Sequence, residues 1–308
     1  MSAVNGRVVW ASGARGTVAR TIDGGVTWTV DSIAGASSLD FRAIHALNDG
    51  AAFVAGAGEA EKGFAKIFAT GDAGRHWHLA YSTDLKGVFL DAIVFWDTRH
   101  GVALSDPVDS AFFILTTDDG GRTWNRIPAA RLPRVLPGEA AFAASGSCLV
   151  IAGSSDVWIG TGGGGRARVM HSADRGATWT VAETPVHALG AAAGIFSLAF
   201  FDRRIGVAAG GDYTKPRLPA PSIALTFDGG QTWSVAKSPP AAYISGVSYA
   251  GSAARLVAVG LAGTFVSRDS GQTWAQGDTV ALNSVRFRGN AGFAVGPRGR
   301  IARMEIKP

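Results

Sequence analysis

Thr226-Phe-Asp-Gly-Gly-Gln-Thr-Trp233 is a stretch that the chain writes six times with small variations. The other copies are Thr21-Ile-Asp-Gly-Gly-Val-Thr-Trp28, Thr70-Gly-Asp-Ala-Gly-Arg-His-Trp77 and Thr117-Asp-Asp-Gly-Gly-Arg-Thr-Trp124. Ser172-Ala-Asp-Arg-Gly-Ala-Thr-Trp179 and Ser267-Arg-Asp-Ser-Gly-Gln-Thr-Trp274 complete the set. The template is Ser/Thr-x-Asp-x-Gly-x-Thr-Trp, and it fails at one core position, where His76 stands for the threonine. Asp and Ser/Thr side chains bond nearby amides and hold a turn that the main chain alone would not close. The glycine supplies a positive φ, and Thr and Trp then re-enter a strand. Each copy therefore reads as a hairpin turn with an aromatic anchor. Asp23, Asp72, Asp119, Asp174, Asp228 and Asp269 are structural, as are Trp28, Trp77, Trp124, Trp179, Trp233 and Trp274. Their carboxylates are occupied in the turns, which argues against catalysis or metal binding there.

The same grammar precedes each box: a short apolar strand, a Gly turn, a strand of small apolar residues, a loop, and a third strand running into the box. Before Trp124 it reads Ala92–Trp96, Gly101–Leu104 and Phe112–Thr116, with Thr123–Ile127 as the fourth strand. Short runs of β-formers bounded by Gly and Asp are strands, and no window carries a helical stripe. Units are expected at about 2–30, 40–80, 89–128, 139–183, 194–237, 243–276 and 282–306. The seventh lacks a box, but Gly296-Pro-Arg-Gly-Arg-Ile-Ala-Arg303 matches Gly13-Ala-Arg-Gly-Thr-Val-Ala-Arg20 in spacing. Seven units in 308 residues give about 44 each, the size of a four-stranded propeller blade. The expected fold is all-β: one seven-bladed β-propeller domain over 1–308. Ser2-Ala-Val4 is only a stub of a first strand, and unit 7 ends before a fourth, so the reading expects upstream residues to be missing.

Composition narrows the function classes. Gly is 42 of 308 residues, about twice the usual ~7%, as many tight turns require. One cysteine, Cys148 in an apolar run, excludes intrachain disulfides and multi-Cys metal clusters. No apolar run approaches the roughly 20 residues of a membrane helix, so no integral membrane segment is expected. The net charge is +5 and 23 of the 29 basic residues are Arg, yet they are dispersed, without the basic stripe that nucleic acid requires. Gly162-Gly-Gly-Gly165 opens no dinucleotide or phosphate loop, and no cofactor is expected. His76 and His78 share a strand face and could ligate a metal, but packed or exposed histidines fit better.

The boxes and the strand pattern, such as Gly292-Phe-Ala-Val-Gly296, resemble the Asp-box (BNR) repeat β-propellers. These include sialidases, sortilin-type receptors, some xyloglucanases and photosystem II stability/assembly factor-like proteins. The pattern is most similar to the last group, over nearly the whole chain. That resemblance implies a non-catalytic assembly or binding scaffold with a protein partner, outside the cytoplasm as a periplasmic or secreted protein whose leader is not in this chain. A monomer is expected.

Strand alternation places the boxes at one end of each unit and the B–C and D–A loops at the other. Units 1, 6 and 7 have minimal B–C turns. Units 2 to 5 carry insertions: Gly58–Gly63, with Glu59 and Glu61; Ser105–Asp109; Gly153–Arg168; and Gly210–Pro216. A long D–A connection, Pro128 to Ala141, adds Arg131, Arg134 and Glu139. Long loops on a rigid scaffold gather binding groups, and Arg168, Tyr213 and Lys215 are candidates. Asp106, Asp109, Glu139 and Asp212 could supply a glycosidase carboxylate pair, and a carbohydrate-active hydrolase is the alternative function. A sialidase is disfavoured because Arg126-Ile-Pro128 follows a box instead of preceding the first. Arg15 and Arg298 occupy matching turns, where their planar guanidinium groups suit carboxylate-bearing partners.

Overall fold

The structure, a computed structural model, describes residues 1–58 and 64–305. Glu59 and Glu61 lie outside the described residues. Seven antiparallel sheets follow one another along the chain, each with its strands hydrogen-bonded in sequence order. Blade 1 comprises Ser2–Ala3, Val9–Ser12, Thr17–Thr21 and Thr29–Ser32; blade 2 comprises Asp40–Ala46, Ala52–Ala57, Ala65–Thr70 and His78–Thr83. Blade 3 is Leu90–Phe95, Gly101–Val108, Ala111–Thr117 and Asn125–Arg126; blade 4 is Leu149–Ala152, Asp156–Gly160, Ala167–Ser172 and Thr180–Thr184. Ala193–Phe200, Gly206–Asp212, Ile223–Thr226 and Ser234–Val235 form blade 5, and Gly246–Tyr249, Leu256–Gly260, Gly263–Ser267 and Ala275–Asp278 form blade 6. Blade 7 has three described strands, Ser284–Arg288, Ala291–Gly296 and Arg300–Glu305. The fold is that of a seven-bladed β-propeller, and the helical pieces among the described residues are two short 3-10 turns, Ala129–Arg131 and Pro297–Gly299.

Residues 1–134, with blades 1 to 3, make one compact unit, and residues 135–308, with blades 4 to 7, make another. Ser2 and Ala3 pair with Trp10 and Val9, so the N-terminal stub belongs to blade 1. The second strands of blades 4, 5 and 6 are buried throughout, whereas the fourth strands of blades 1 and 6 are exposed at every residue. A strand covered on both faces needs apolar residues on both, which explains runs such as Leu256-Val-Ala-Val-Gly260.

The boxes are built as fastened turns. In blade 5, Thr226 Oγ1 donates to Asp228 Oδ1 (2.8 Å) and accepts the Gly230 N–H (2.9 Å). The same carboxylate accepts from Thr232 N (3.0 Å) and Thr232 Oγ1 (2.6 Å). The other five boxes repeat this set, and in blade 2 His76 Nδ1 takes the threonine hydroxyl's place on Asp72 Oδ2 at 2.6 Å. Two details differ from the sequence reading. Positive φ falls on two successive residues of each box, the first being Ala73, Arg175 or Ser270 in three of them. The box Trp does not enter the fourth strand, which begins one residue later, as at Thr29 and Ser234.

In blades 2, 3 and 5 the second positive-φ residue also lies against an aromatic of the preceding blade, Trp10, Phe53 and Trp158, and in blade 6 against Leu225. A Cβ on Gly121 would sit 2.5 Å from the Phe53 ring, so the glycine is required by space as well as by φ. In blade 5 the fit is reinforced by a hydrogen bond from Trp158 Nε1, in blade 4, to Gly229 O (2.7 Å). Each box amide at the fourth position also bonds the first turn of its own blade, as Gly229 N does to Arg204 O (2.9 Å). The boxes are therefore clasps between blades. At the innermost strands, serine hydroxyls do similar work. Ser2 Oγ accepts Ala46 N–H (3.0 Å), Ser197 Oγ accepts Val247 N–H (3.0 Å) and Ser248 Oγ accepts Phe287 N–H (3.1 Å), each from the next blade.

The Thr232 hydroxyl and amide, with Thr226, hold the Asp228 carboxyl down at about 2. A depressed carboxyl contributes stability that is present above its unfolded value of about 4 and lost as pH falls through its folded value. Asp228→Ala is expected to cost roughly 1 kcal/mol at pH 7, the scale of screened turn hydrogen bonds. The cost should shrink between about pH 4 and pH 2. Urea melts of both proteins across that window check it, and a difference that does not vary with pH would contradict this account.

Candidate functional site

Blade 4 is assembled differently from the sequence reading, and the difference reshapes its loops. Leu149–Ala152 is its first strand and Asp156–Gly160 its second. Gly153–Ser155 is thus a first-to-second-strand turn beside the box, where Arg175 N bonds Ser155 O (2.9 Å). The B–C loop shrinks from the expected Gly153–Arg168 to 161–166, with Arg168 inside the third strand. The expected loop Ser105–Asp109 in blade 3 is mostly strand too. Gly101–Val108 pairs with Ala111–Thr117, and the turn is Asp109–Ser110, both at positive φ. Pro107 follows a bulge in that strand, a place where a missing N–H is tolerated.

On the loop face of blades 4 and 5, four segments lie side by side. Ala140 and Gly162 exchange backbone hydrogen bonds (2.8 and 3.0 Å), Gly163 N reaches Ala193 O (2.8 Å), and Tyr213 N reaches Ala192 O (3.3 Å). Gly162 packs on the Gly194 backbone, and a Cβ there would meet the Phe142 ring at 2.9 Å. Gly162 thus serves close approach of two backbones, not a phosphate.

Glu139 and Arg168 meet in this layer. The Glu139 side chain is fully buried and accepts Arg168 Nε (2.8 Å), Arg168 Nη2, Thr161 Oγ1 (2.6 Å) and Leu136 N (2.8 Å). A carboxylate bonded four ways has its lone pairs engaged. Asp212, also buried, accepts Thr214 N (2.9 Å) and Thr214 Oγ1 (2.6 Å) and lies 3.7 Å from Lys215 Nζ. The Thr214 hydroxyl first, then the Thr214 amide and the Lys215 and His187 charges, hold its carboxyl low against burial. It is an ionised loop clamp with no acidic proton to donate at neutral pH.

Beside these clamps stands an aromatic block. Phe142 stacks on Phe196 (4.0 Å), which meets Tyr243 (4.8 Å) and Tyr213 (6.0 Å) edge-on. Tyr243 is buried, whereas Tyr213 is 48% exposed beside the exposed Lys215. The rigid base and the exposed ring make a surface suited to a polypeptide side chain. Thr161, Phe142 and Phe196 were not among the sequence candidates.

The remaining candidates are distributed elsewhere. Asp106 is partly exposed and Asp109 exposed, both in blade 3. Arg15 and Arg298 are exposed at the tips of their turns, with φ of 56° and 61°. Arg20 stacks on Trp10 at 5.2 Å, a structural use. Arg286, on the first strand of blade 7, is pushed down to about 10 by burial and by the Arg288 charge. Among the described residues no group of three His, Cys, Asp or Glu side chains could hold a metal, and no helix is long and apolar enough to cross a membrane.

Solved structures share this architecture. A structure of YCF48 bound to D1 peptide matches over 99% of this chain and 92% of its own, at 18% identity and a TM-score of 0.71. YCF48 from Cyanidioschyzon merolae matches over 99% and 94%, also at 18% identity, with a TM-score of 0.65. The chain has the fold of these propellers. A GH74 enzyme of Niastella koreensis matches at 12% identity and a TM-score of 0.51, over 97% of this chain and 64% of the enzyme. No family model matches the chain, and no curated protein sequence does. At such identities the likeness establishes the fold, and function must be argued from the site.

Proposed function

We propose that the protein is a non-catalytic scaffold that docks a polypeptide partner on the loop face of blades 4 and 5. One observation carries the reading. Glu139 and Asp212, the carboxylates brought to this face, are committed to Arg168, Thr161, Thr214 and their own loops, while Tyr213 and Lys215 beside them stay exposed. Such a surface can hold a chain but lacks the acid and base that hydrolysis requires. Similarity to YCF48 bound to D1 peptide supports a protein partner, and Arg15 and Arg298, each exposed on its own unit, are separate candidates for contact with acidic segments. The same reading places the protein outside the cytoplasm as a monomer, in keeping with assembly factors of the photosystem II stability/assembly type.

The test is a photo-crosslinking residue placed at 213, with a second protein carrying it at Phe227, an exposed box tip of blade 5. Polypeptide adducts in the source cells are expected from position 213 and not from 227, and Lys215→Glu should reduce their yield at least fivefold. Equal adducts at both positions would overturn the docking face. Turnover of a glycoside panel that Asp212→Asn abolishes would instead favour a carbohydrate-active hydrolase.

A further inference from the structure

Between the segment that leaves blade 5 and the third and fourth strands of blade 6 lies a cavity of about 420 Å³, within the ~300–1,000 Å³ usual for small-molecule sites. Hydrogen bonds fix its walls. Ser238 N–H donates to Gln272 O (2.9 Å) and Ser222 Oγ donates to Pro240 O (2.7 Å), which seats the 238–242 segment. Tyr243 N–H donates to Pro216 O (3.1 Å) and so ties the blade 5 loop that carries Arg217 to the same segment. On blade 6, the Gln276 side-chain amide donates to Ala262 O (3.1 Å) and Asp278 O (3.3 Å). Gly263, with a φ of 131°, lets the backbone of Asp278 and Thr279 pass where a Cβ would collide with it.

The lining has an apolar part and a donor part. Pro239, Pro240, Phe265 and Trp274 supply the first. The prolines carry no N–H, and the Trp274 indole N–H is spent on Gly271 O (2.8 Å), so these residues offer rings to the cavity. Arg217 is exposed and, among the described residues, is the one charged side chain in the lining. Its guanidinium has no hydrogen-bond or ion-pair partner among the described residues. The N–H groups of Ala241 and Ala242, also in the lining, have no partner among them either, although Ala242 is buried. A buried amide left unpaired costs free energy that an acceptor would recover. Asp278 is outside the lining, and its carboxylate accepts the Val280 N–H (2.8 Å).

The geometry points to this cavity as a binding site for a small monocarboxylic acid with an aromatic or branched aliphatic body. The Arg217 fork matches a carboxylate, the two alanine amides add donors to the same anion, and the prolines and aromatic rings receive the body. An amine fits less well, because the lining holds no carboxylate to face it. A phosphate dianion fits less well, since a single arginine stands against two charges beside apolar walls that solvate neither. A sugar needs an acceptor for each hydroxyl proton, and Gln276 and Thr279 are the side chains of the lining that carry one.

The experiment titrates the full chain, 15N-labelled, with 3-phenylpropionate, 3-phenylpropionamide and 3-phenylpropylamine. The acid is expected to shift the Ala241, Ala242 and Thr279 amide signals and the Trp274 indole signal. It should bind about tenfold more tightly than the amide, the scale of a charge-assisted hydrogen bond. Arg217→Gln, at an exposed position, should weaken the acid by about tenfold and leave the amide unchanged, a contrast that a general loss of structure does not produce. Equal binding of acid and amide, tighter binding of the amine, acid binding that survives Arg217→Gln, or no shift with any of the three would each overturn the site. N-acetyl-glycyl-phenylalanine binding more than about tenfold tighter than the acid would overturn a small acid as the occupant in favour of a polypeptide end.

Discussion

Trp158→Ala is expected to lower the stability of the 135–308 unit by about 3–5 kcal/mol, the range for removing a large buried aromatic. Trp158 is wholly buried in the second strand of blade 4, stacked on His171 at 4.6 Å and on Phe200 of blade 5 at 3.9 Å. Its indole N–H reaches Gly229 O in the blade 5 box. Alanine removes the ring, both stacks and the clasp between two blades together. At ~2 °C per kcal/mol for a chain of this size, the melting temperature should fall by roughly 6–10 °C. Trp158→Phe separates the causes. It keeps most of the stacking and loses the hydrogen bond, so about 1–2 kcal/mol is expected. Calorimetry of the three proteins decides the matter. If phenylalanine were as harmful as alanine, the N–H would be the dominant element; if alanine cost under about 1 kcal/mol, blade 4 would not be clasped through this residue.

Glu139→Gln should be nearly as severe, for an electrostatic reason. The change keeps the shape but strips the charge that faces Arg168, whose side chain is only 11% exposed. Removing one member of a buried ion pair typically costs ~3–5 kcal/mol, because the other is left uncompensated. The double variant Glu139→Gln/Arg168→Met should recover much of that loss, since the pair's own net contribution is small once desolvation is counted. Amide exchange at Leu136 and Ala140, which depend on Glu139 and on the 161–166 loop, should accelerate in the single variant and slow again in the double. A double variant no better than the single would mean that the loop is held by the four-way bonding pattern and not by charge balance.

The parts legible from sequence are those that repeat. Six boxes marked six of the seven blades, because Asp228 and its five counterparts make local hydrogen bonds that any copy of the motif must make, and the match of Gly296–Arg303 to Gly13–Arg20 marked the seventh. Blade 4 was harder to read. Its first two strands are separated by only Gly153–Ser155, and the loop before them contains Ala140-Ala-Phe-Ala-Ala144, which reads as a strand. Ser105–Asp109 was expected as a loop, yet Pro107 sits beside a bulge inside a strand. Ala73, Arg175 and Ser270 take positive φ without the glycine that would have advertised it. At the site, the loop carboxylates were visible as residues, but the occupation of Glu139 by Thr161 and Arg168 depends on partners 22 and 29 residues away. The register slips in blades 2, 3 and 5 were invisible for a related reason. A register slip is a property of paired strands and leaves no mark in either one alone.

The hydroxyls of Ser2, Ser197 and Ser248 bind amides that, in a continuous sheet, a carbonyl would have taken. Neighbouring blades are therefore joined at these points by single N–H···Oγ bonds instead of a rigid ladder, and such a joint tolerates small changes in tilt without breaking. Each joint also carries its own reporter: the solvent-exchange rates of the Ala46, Val247 and Phe287 protons register the opening of one seam apiece, independently of whether the sheets on either side remain intact.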